Sequence, residues 1–180
     1  MIKDPLSETL TIERIVAVDP PREVRLAPGD RWTASTAEVG GARQLVVRPL
    51  RGGPSLQLTA GEKPVSDPQW SPDGRRLAFV RADAIWVVEL DGGRESKVAG
   101  HPAGVSSPRW SPDGSRLAFL SRRRGWSQLH VVEAPVPRRG RPRKEPTAPI
   151  PRAVTPTGLD LEAFAWAPDG RSFVVETGAY

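Results

Sequence analysis

The sequence has no cysteine, only two histidines, and no long apolar run. Without cysteine the protein can form no disulfide and use no thiolate chemistry, which suits a reducing compartment. No stretch of about 18 apolar residues occurs, and residues 1–7 lack the apolar core of a secretory signal. These absences predict a cytoplasmic protein without a membrane span.

Motifs for catalysis are missing as well. No Gly-x-Ser-x-Gly segment occurs, so the sequence contains no nucleophile elbow. His101 is expected in a loop and His130 in a strand, and nothing nearby marks an activated serine. Two separated histidines without cysteine also make a poor zinc site. We therefore expect no catalytic residue, no metal ligand and no cofactor in this chain.

Proline, glycine and tryptophan are plentiful, and they recur in a repeat. Trp-Ser-Pro-Asp-Gly begins at Trp70 and at Trp110, Trp-Ala-Pro-Asp-Gly begins at Trp166, and a degenerate copy begins at Leu26. The first two tryptophans lie 40 residues apart and the next two 56 apart. A period near 40 residues is typical of the blades of a β-propeller.

Each pentapeptide predicts a tight turn between two short strands. Proline presets φ at the first corner, aspartate tolerates the second, and glycine completes the reversal in the left-handed region. Apolar runs such as 77–80 and 117–120 follow the turns, as expected for strands buried on both faces. We interpret the recurring aspartates as turn residues, not metal ligands, and the tryptophans as inter-blade packing. The structural repeat residues are Trp70, Pro72, Asp73, Gly74, Trp110, Pro112, Asp113, Gly114, Trp166, Pro168, Asp169 and Gly170.

Four short strands in each repeat predict an all-β fold of four-stranded antiparallel blades. We expect a lead-in over residues 1–22, where Thr11 could equally begin a short helix or a strand, and a partial propeller over 23–180. The expected blades are 23–60, 65–99, 105–156 with an insertion at 135–151, and an incomplete blade at 161–180. Closed propellers have about 4–8 blades, so three and a half blades indicate part of a larger propeller.

Positive charge is concentrated in the third repeat. Three arginines are expected in its central hairpin loop, with Trp126 next to them and off the repeat register. Arg-Gly-Arg-Pro in the insertion resembles the AT-hook, which implies arginine in the narrow minor groove of A·T-rich DNA. A solvated insertion, with Trp126 as a strand-edge aromatic, is the favoured alternative, because so short a motif often matches by chance. The candidate contact residues are Arg122, Arg123, Arg124, Trp126, Arg139 and Arg141.

Trp-Ser-Pro-Asp-Gly-x-x-Leu-Ala-Phe, at Trp70 and Trp110, resembles the WD40-like PD40 repeat. TolB-type propellers share this repeat with the N-terminal propellers of prolyl-oligopeptidase-type (family S9) serine peptidases. The order of segments from Leu10 through the degenerate first blade is similar to that of acylaminoacyl-peptidase-like members. The resemblance implies a propeller that restricts peptide access to an α/β-hydrolase domain. That domain carries the catalytic serine, aspartate and histidine, and none of them can be placed on this chain.

Three functional hypotheses follow from these observations. The first is the gating propeller of an S9-type peptidase, whose partner is a peptide substrate reached through a hydrolase domain absent from this chain. The second is a TolB-like binding scaffold for a protein partner, including self-association through the open blade edge. The third is DNA association through residues 138–144, which we rank last because its motif is the least specific.

Overall fold

The computed structural model describes residues 21–123, 125–135 and 149–178. Within these ranges the chain forms fourteen β-strands and no helix. The strands are β1 (Arg22–Leu26), β2 (Trp32–Val39), β3 (Ala42–Pro49), β4 (Leu56–Gln57), β5 (Val65–Trp70), β6 (Arg76–Arg81), β7 (Ala84–Glu89), β8 (Glu95–Gly100), β9 (Val105–Trp110), β10 (Arg116–Arg123), β11 (Trp126–Glu133), β12 (Arg152–Ala153), β13 (Leu161–Trp166) and β14 (Phe173–Thr177). The expected helix or strand near Thr11 and most of the insertion lie outside the described residues.

The strands form three four-stranded sheets, β1–β4, β5–β8 and β9–β12, and a two-stranded sheet, β13–β14. Every pairing is antiparallel and joins neighbours in sequence, so each sheet is a simple meander. The first three sheets meet through their first strands, with β5 against β1 and β9 against β5, and the last sheet contacts the third through β13 and β11. The sheets therefore radiate as blades, and the expected all-β, three-and-a-half-blade partial propeller is confirmed.

The Leu-Ala-Phe segments of the second and third blades are buried on both faces. In β6, Leu77 and Phe79 pack into the core between the first and second blades. Ala78, on the opposite face, packs into the core between the second and third blades. The same alternation recurs in β10, where Ala118 faces the fourth blade. The large residues thus fill the preceding interface, and the small one lets the next blade approach.

The fourth strand of the first blade is short. Only Leu56–Gln57 is extended in the sheet. Beyond them the Thr59 hydroxyl, at 2.9 Å, takes the place of a backbone acceptor for the Leu45 N–H. The same hydroxyl donates to Gln44 Oε1 at 2.9 Å. A side chain therefore completes the pairing where the backbone ladder ends.

The two ends of the blade array leave apolar side chains in solvent. On the first blade, Val24 and Leu26 are 52% and 53% exposed. On the last, Val174 is 70% exposed, whereas Leu161 in the same two-stranded sheet is buried against the third blade. A blade face is thus buried only where another blade covers it. No helix in the described ranges is long and apolar enough to cross a membrane.

Candidate functional site

The repeat turns are organised by one serine and one aspartate. In the second blade, Ser71 Oγ donates to Asp73 Oδ1 at 2.5 Å and accepts from Arg76 N at 3.0 Å. Gly74, at φ +66°, closes the turn by donating its N–H to Ser71 O at 2.9 Å. In the last blade, where alanine replaces the serine, Asp169 still accepts from Arg171 N at 2.8 Å. The turn aspartates therefore hold backbone N–H groups.

These hydrogen bonds change the acidity of the turn aspartates. The hydroxyl of Ser111, then the N–H and hydroxyl of Ser115, lower the pKa of Asp113 to about 2. Partial burial acts to raise the pKa of Asp73, but hydrogen bonds from Ser71 and Arg75 outweigh it, and the pKa is lowered. Each carboxylate is stabilised in its charged form because its donors point at it.

The tryptophans tie each blade to the one before it. Trp70 Nε1 donates to Arg25 O at 3.1 Å, and Trp110 Nε1 donates to Gln69 O at 3.0 Å. Trp166 repeats the contact with a bond of 3.1 Å to Arg109 O. The indole ring fills the interface while its N–H satisfies a carbonyl of the preceding first strand.

Two arginines connect each of their blades to the blade that follows it. Arg76 donates to Gly114 O at 3.1 Å and lies over the Trp110 ring at 4.5 Å. Arg116 donates to Gly170 O at 2.6 Å and lies over the Trp166 ring at 5.2 Å. Neither arginine was predicted from the sequence, although arginine six residues after the tryptophan in two copies was a usable signal. The fourth copy has Ser172 at this position.

A second feature recurs on the first strands. Glu23, Asp67 and Ser107 occupy the same position in β1, β5 and β9, and each has a positive φ, between 51° and 54°. A register shift in the pairing accompanies each of them, which is the pattern of a β-bulge. Non-glycine residues adopt this conformation at a cost, and bulges of this kind are frequent beside functional sites.

The bulges bring charged side chains of three blades together. Glu23 accepts from the Asp67 N–H at 3.0 Å and from Thr36 Oγ1 at 3.1 Å. Asp67 Oδ1 accepts from Gln69 Nε2 at 2.9 Å and lies 3.6 Å from Arg109 Nη1. We call Glu23, Asp67 and Arg109 the inner polar row. It is our candidate functional site, and the sequence offered no sign of it.

The inner polar row presents two carboxylates and one guanidinium that can bind polar groups. Its members lie on first strands, whose free edges face the centre of a propeller. The Arg109 side chain is 39% exposed and reachable from solvent. In the ranges that the structure describes, no three histidine, aspartate or glutamate side chains are grouped so that they could hold a metal ion.

The fold brings together the two histidines that are separate in sequence. His101, Ser121 and His130 line one pocket of about 260 Å³ in the third blade. His101 Nδ1 accepts from Ala103 N at 3.2 Å, and His130 Nδ1 lies 3.2 Å from Gln128 O. His130 also stacks on Phe119 at 5.7 Å. Backbone contacts therefore hold both rings.

The expected basic contact surface is described only in part. Arg122 and Arg123 lie in β10 and not in the hairpin loop, because they pair with Ser127 and Trp126 of β11. Arg122 is exposed, and Trp126 is 38% exposed at the start of β11. Arg124, Arg139 and Arg141 lie outside the described residues, so DNA association stays a prediction.

Comparisons with known proteins agree with this architecture. A model of the family described as "PD40: TolB beta propeller domain" matches residues 35–178. The uncharacterised peptidase YuxL of Bacillus subtilis (strain 168) is 41% identical over 51 residues, which are 26% of this chain and 8% of that protein. The chain therefore spans a small fraction of this relative.

Solved structures share the fold at low sequence identity. A putative TolB from Agrobacterium tumefaciens has a TM-score of 0.64 at 20% identity, over 85% of this chain and 52% of that one. A puromycin-hydrolysing peptidase of Mycobacterium tuberculosis has a TM-score of 0.64 at 22% identity, over 86% of this chain and 27% of that one. The chain thus spans about half of the first structure and about a quarter of the second.

Proposed function

The chain belongs to the TolB β-propeller (PD40) family, and from that premise we propose that it is the non-catalytic propeller portion of an S9-type serine peptidase. In this role it limits peptide access to a hydrolase domain that is not part of this chain. Two similar proteins, one matched in sequence and one in structure, are peptidases by name. As no nucleophile elbow occurs in the sequence, we expect the chain alone to be inactive.

The inner polar row is the observation that carries the gating proposal. Glu23 and Asp67 lie on the first strands, where a peptide passing along a propeller axis would meet them. Arg109 adds a positive charge 3.6 Å from the Asp67 carboxylate. A row with both charge signs suits hydrogen bonding to extended peptide backbone as well as to charged side chains.

The gene sequence downstream of the codon for Tyr180 tests this proposal first. We expect an in-frame continuation through further Pro-Asp-Gly blades into an α/β-hydrolase domain with Gly-x-Ser-x-Gly. In that protein, Asp67→Ala should change the relative rates for long and short peptides and leave the rate for a dipeptide substrate unaltered. A stop codon directly after Tyr180, or an unchanged length preference, would contradict the proposal.

A binding scaffold is the second candidate, because the ends of the blade array expose apolar side chains. Val24 and Leu26 on the first blade and Val174 and Val175 on the last are all at least 39% exposed. Exposed apolar surface of this kind marks interaction sites. The scaffold proposal predicts that the chain itself binds a protein partner or a second copy. If light scattering shows a monomer at all concentrations, a second copy of the chain is excluded as the partner.

A further inference from the structure

A pocket in the second blade collects positive charge. It has a volume of about 290 Å³, and its lining includes Lys63, Arg81, Trp86, Lys97 and Asp83. Lys63 lies on the connection between β4 and β5, Arg81 ends β6, and Lys97 lies in β8. Three cations and one carboxylate thus surround a single opening.

Arg81 is held rigidly at the pocket wall. Its guanidinium pairs with Glu95 and lies over the Trp86 ring at 4.4 Å, and its side chain is only 13% exposed. Lys63 and Lys97 are exposed, and neither forms an ion pair within the described residues. With Asp83 and Glu95 counted against the three cations, one positive charge remains uncompensated. The two lysines are therefore available to an anion.

The third blade contains an equivalent pocket, whose described lining residues include no lysine, arginine, aspartate or glutamate. Phe79 pairs with Trp86 and Trp86 with Lys97, just as Phe119 pairs with His130 and His130 with Ala153. Arg81 pairs with Val65 as Ser121 pairs with Val105. Ser121, His130 and Ala153 line the equivalent pocket of about 260 Å³.

The first blade carries uncharged residues at two of the equivalent positions. Val46 and Gln57, a cross-strand pair, occupy the positions of Trp86 and Lys97. The strand pairing that forms the pocket thus recurs, and among the described residues the second-blade pocket is lined by lysine and arginine whereas the third-blade pocket is not. A binding site is expected to depart from the repeat in this way, because packing alone gives no reason to place several cations together.

We propose that the second-blade pocket binds a carboxylate group of a peptide, with Lys63 and Lys97 as its charge partners. Trp86 and the neighbouring alanines contact the apolar atoms next to that carboxylate. The volume is at the lower end of known ligand pockets, so it suits one terminal residue or one acidic side chain. The choice of a peptide as ligand rests on the proposed function, whereas the carboxylate follows from the charges themselves.

Binding of N-acetyl-trialanine to the purified chain, measured by chemical-shift titration, tests the proposal. We expect the free acid to bind and its C-terminal amide to bind at least about tenfold more weakly, the loss of one charge-assisted contact. Lys97→Ala, which introduces the residue found at the equivalent third-blade position 153, should weaken binding of the free acid about tenfold. Arg75→Ala is the matched control, since it removes an exposed cation about 15 Å away at the other end of the same blade.

The remaining outcomes separate the sources of the carboxylate. Binding of N-acetyl-Ala-Glu-Ala-amide would assign the site to acidic side chains, and binding of the free acid alone would assign it to C-termini. Equal binding of acid and amide, equal losses in Lys97→Ala and Arg75→Ala, or binding of inorganic phosphate without either peptide would overturn the proposal. The titration needs no hydrolysis, so a missing hydrolase domain would refute the proposed function and leave this result standing.

Discussion

At the scale of single residues, the contacts between blades depend on a few side chains that reach across the interface. Arg76 is 8% exposed, and its guanidinium donates to Gly114 O and Pro135 O of the third blade. It also covers the Trp110 ring, whose indole N–H is bound to the second blade. Arg76 of the second blade thus bonds to the third blade, and Trp110 of the third blade bonds to the second. Removing either side chain should weaken the contact between the two blades.

Arg76→Ala should destabilise the chain by about 3 kcal/mol, because it removes two charge-assisted hydrogen bonds and a cation–π contact from a buried site. Arg75→Ala is the matched control, since Arg75 is exposed in the same turn, and its effect should stay within about 0.5 kcal/mol. Chemical denaturation followed by tryptophan fluorescence measures both. Equal effects of the two substitutions would show that the contacts of Arg76 do not stabilise the fold.

The hydrogen-bonded carboxylate of Asp113 should make the stability of the fold depend on pH. Its pKa is lowered to about 2 in the folded chain from an ordinary value of 3.8. The charged carboxylate therefore stabilises the fold fully above about pH 4, and this contribution is lost as the pH falls from there through 2. The stability difference between the wild type and Asp113→Asn should accordingly shrink over that interval.

Denaturation midpoints of the two proteins at pH 6 and pH 2 measure this difference. Glu38→Gln, a charge change on an exposed residue of β2, is the control and should show no comparable trend. A difference that is the same at both pH values would mean that the carboxylate charge of Asp113 contributes nothing to the turn.

At the scale of elements, the strands fall into two classes according to whether blades cover both of their faces. β6 and β10 are buried on both sides, which explains their nearly continuous apolar sequences. β14 has one strand partner and is largely exposed along its length. The first strands differ from the others in another respect: they contain β-bulges, and the charged side chains of the inner polar row lie on them.

The backbone amides of β14 should exchange with solvent at least about 100-fold faster than those of β10. They lie at a strand edge or pair only with β13, while β10 is paired on both sides. Hydrogen exchange followed by NMR or mass spectrometry gives both rates on the same sample. Similar protection of the two strands would indicate that another chain covers β14 in solution.

At the scale of the whole molecule, the array of blades ends in two exposed faces. One face carries Val24 and Leu26, and the other carries Val174 of β14. Propellers bury such faces by closing the ring, and a strand edge that remains open is a template for pairing with another chain. We therefore expect the isolated chain to associate through β14 as its concentration rises.

Val174→Lys should weaken that association, because a charge on an exposed edge strand opposes strand pairing. Leu50→Lys is the control, since Leu50 is 51% exposed directly after β3 and distant in sequence from the open edge. Light scattering over a concentration series should show a smaller mean mass for Val174→Lys only. The same decrease in both variants would point to general charge repulsion instead of edge pairing.

The sequence by itself determined the turns, the blade period and the all-β fold, because each of these depends on residues within a few positions of one another. Ser71, Asp73 and Gly74 form their turn through bonds that span at most five residues, and five residues suffice to recognise it. The alternation in Leu-Ala-Phe is similarly local, since it follows from the two-residue period of a strand.

Only the tertiary structure decided which residues meet across blades. Arg76 reaches Gly114 over 38 positions, and the Glu23 carboxylate reaches the Asp67 N–H over 44. The three cations of the second-blade pocket come from separate segments that only sheet pairing brings together. No local pattern encodes such contacts, because they depend on how blades pack and on where bulges turn side chains. The repeat could therefore be read from the sequence, whereas both candidate binding sites required the fold.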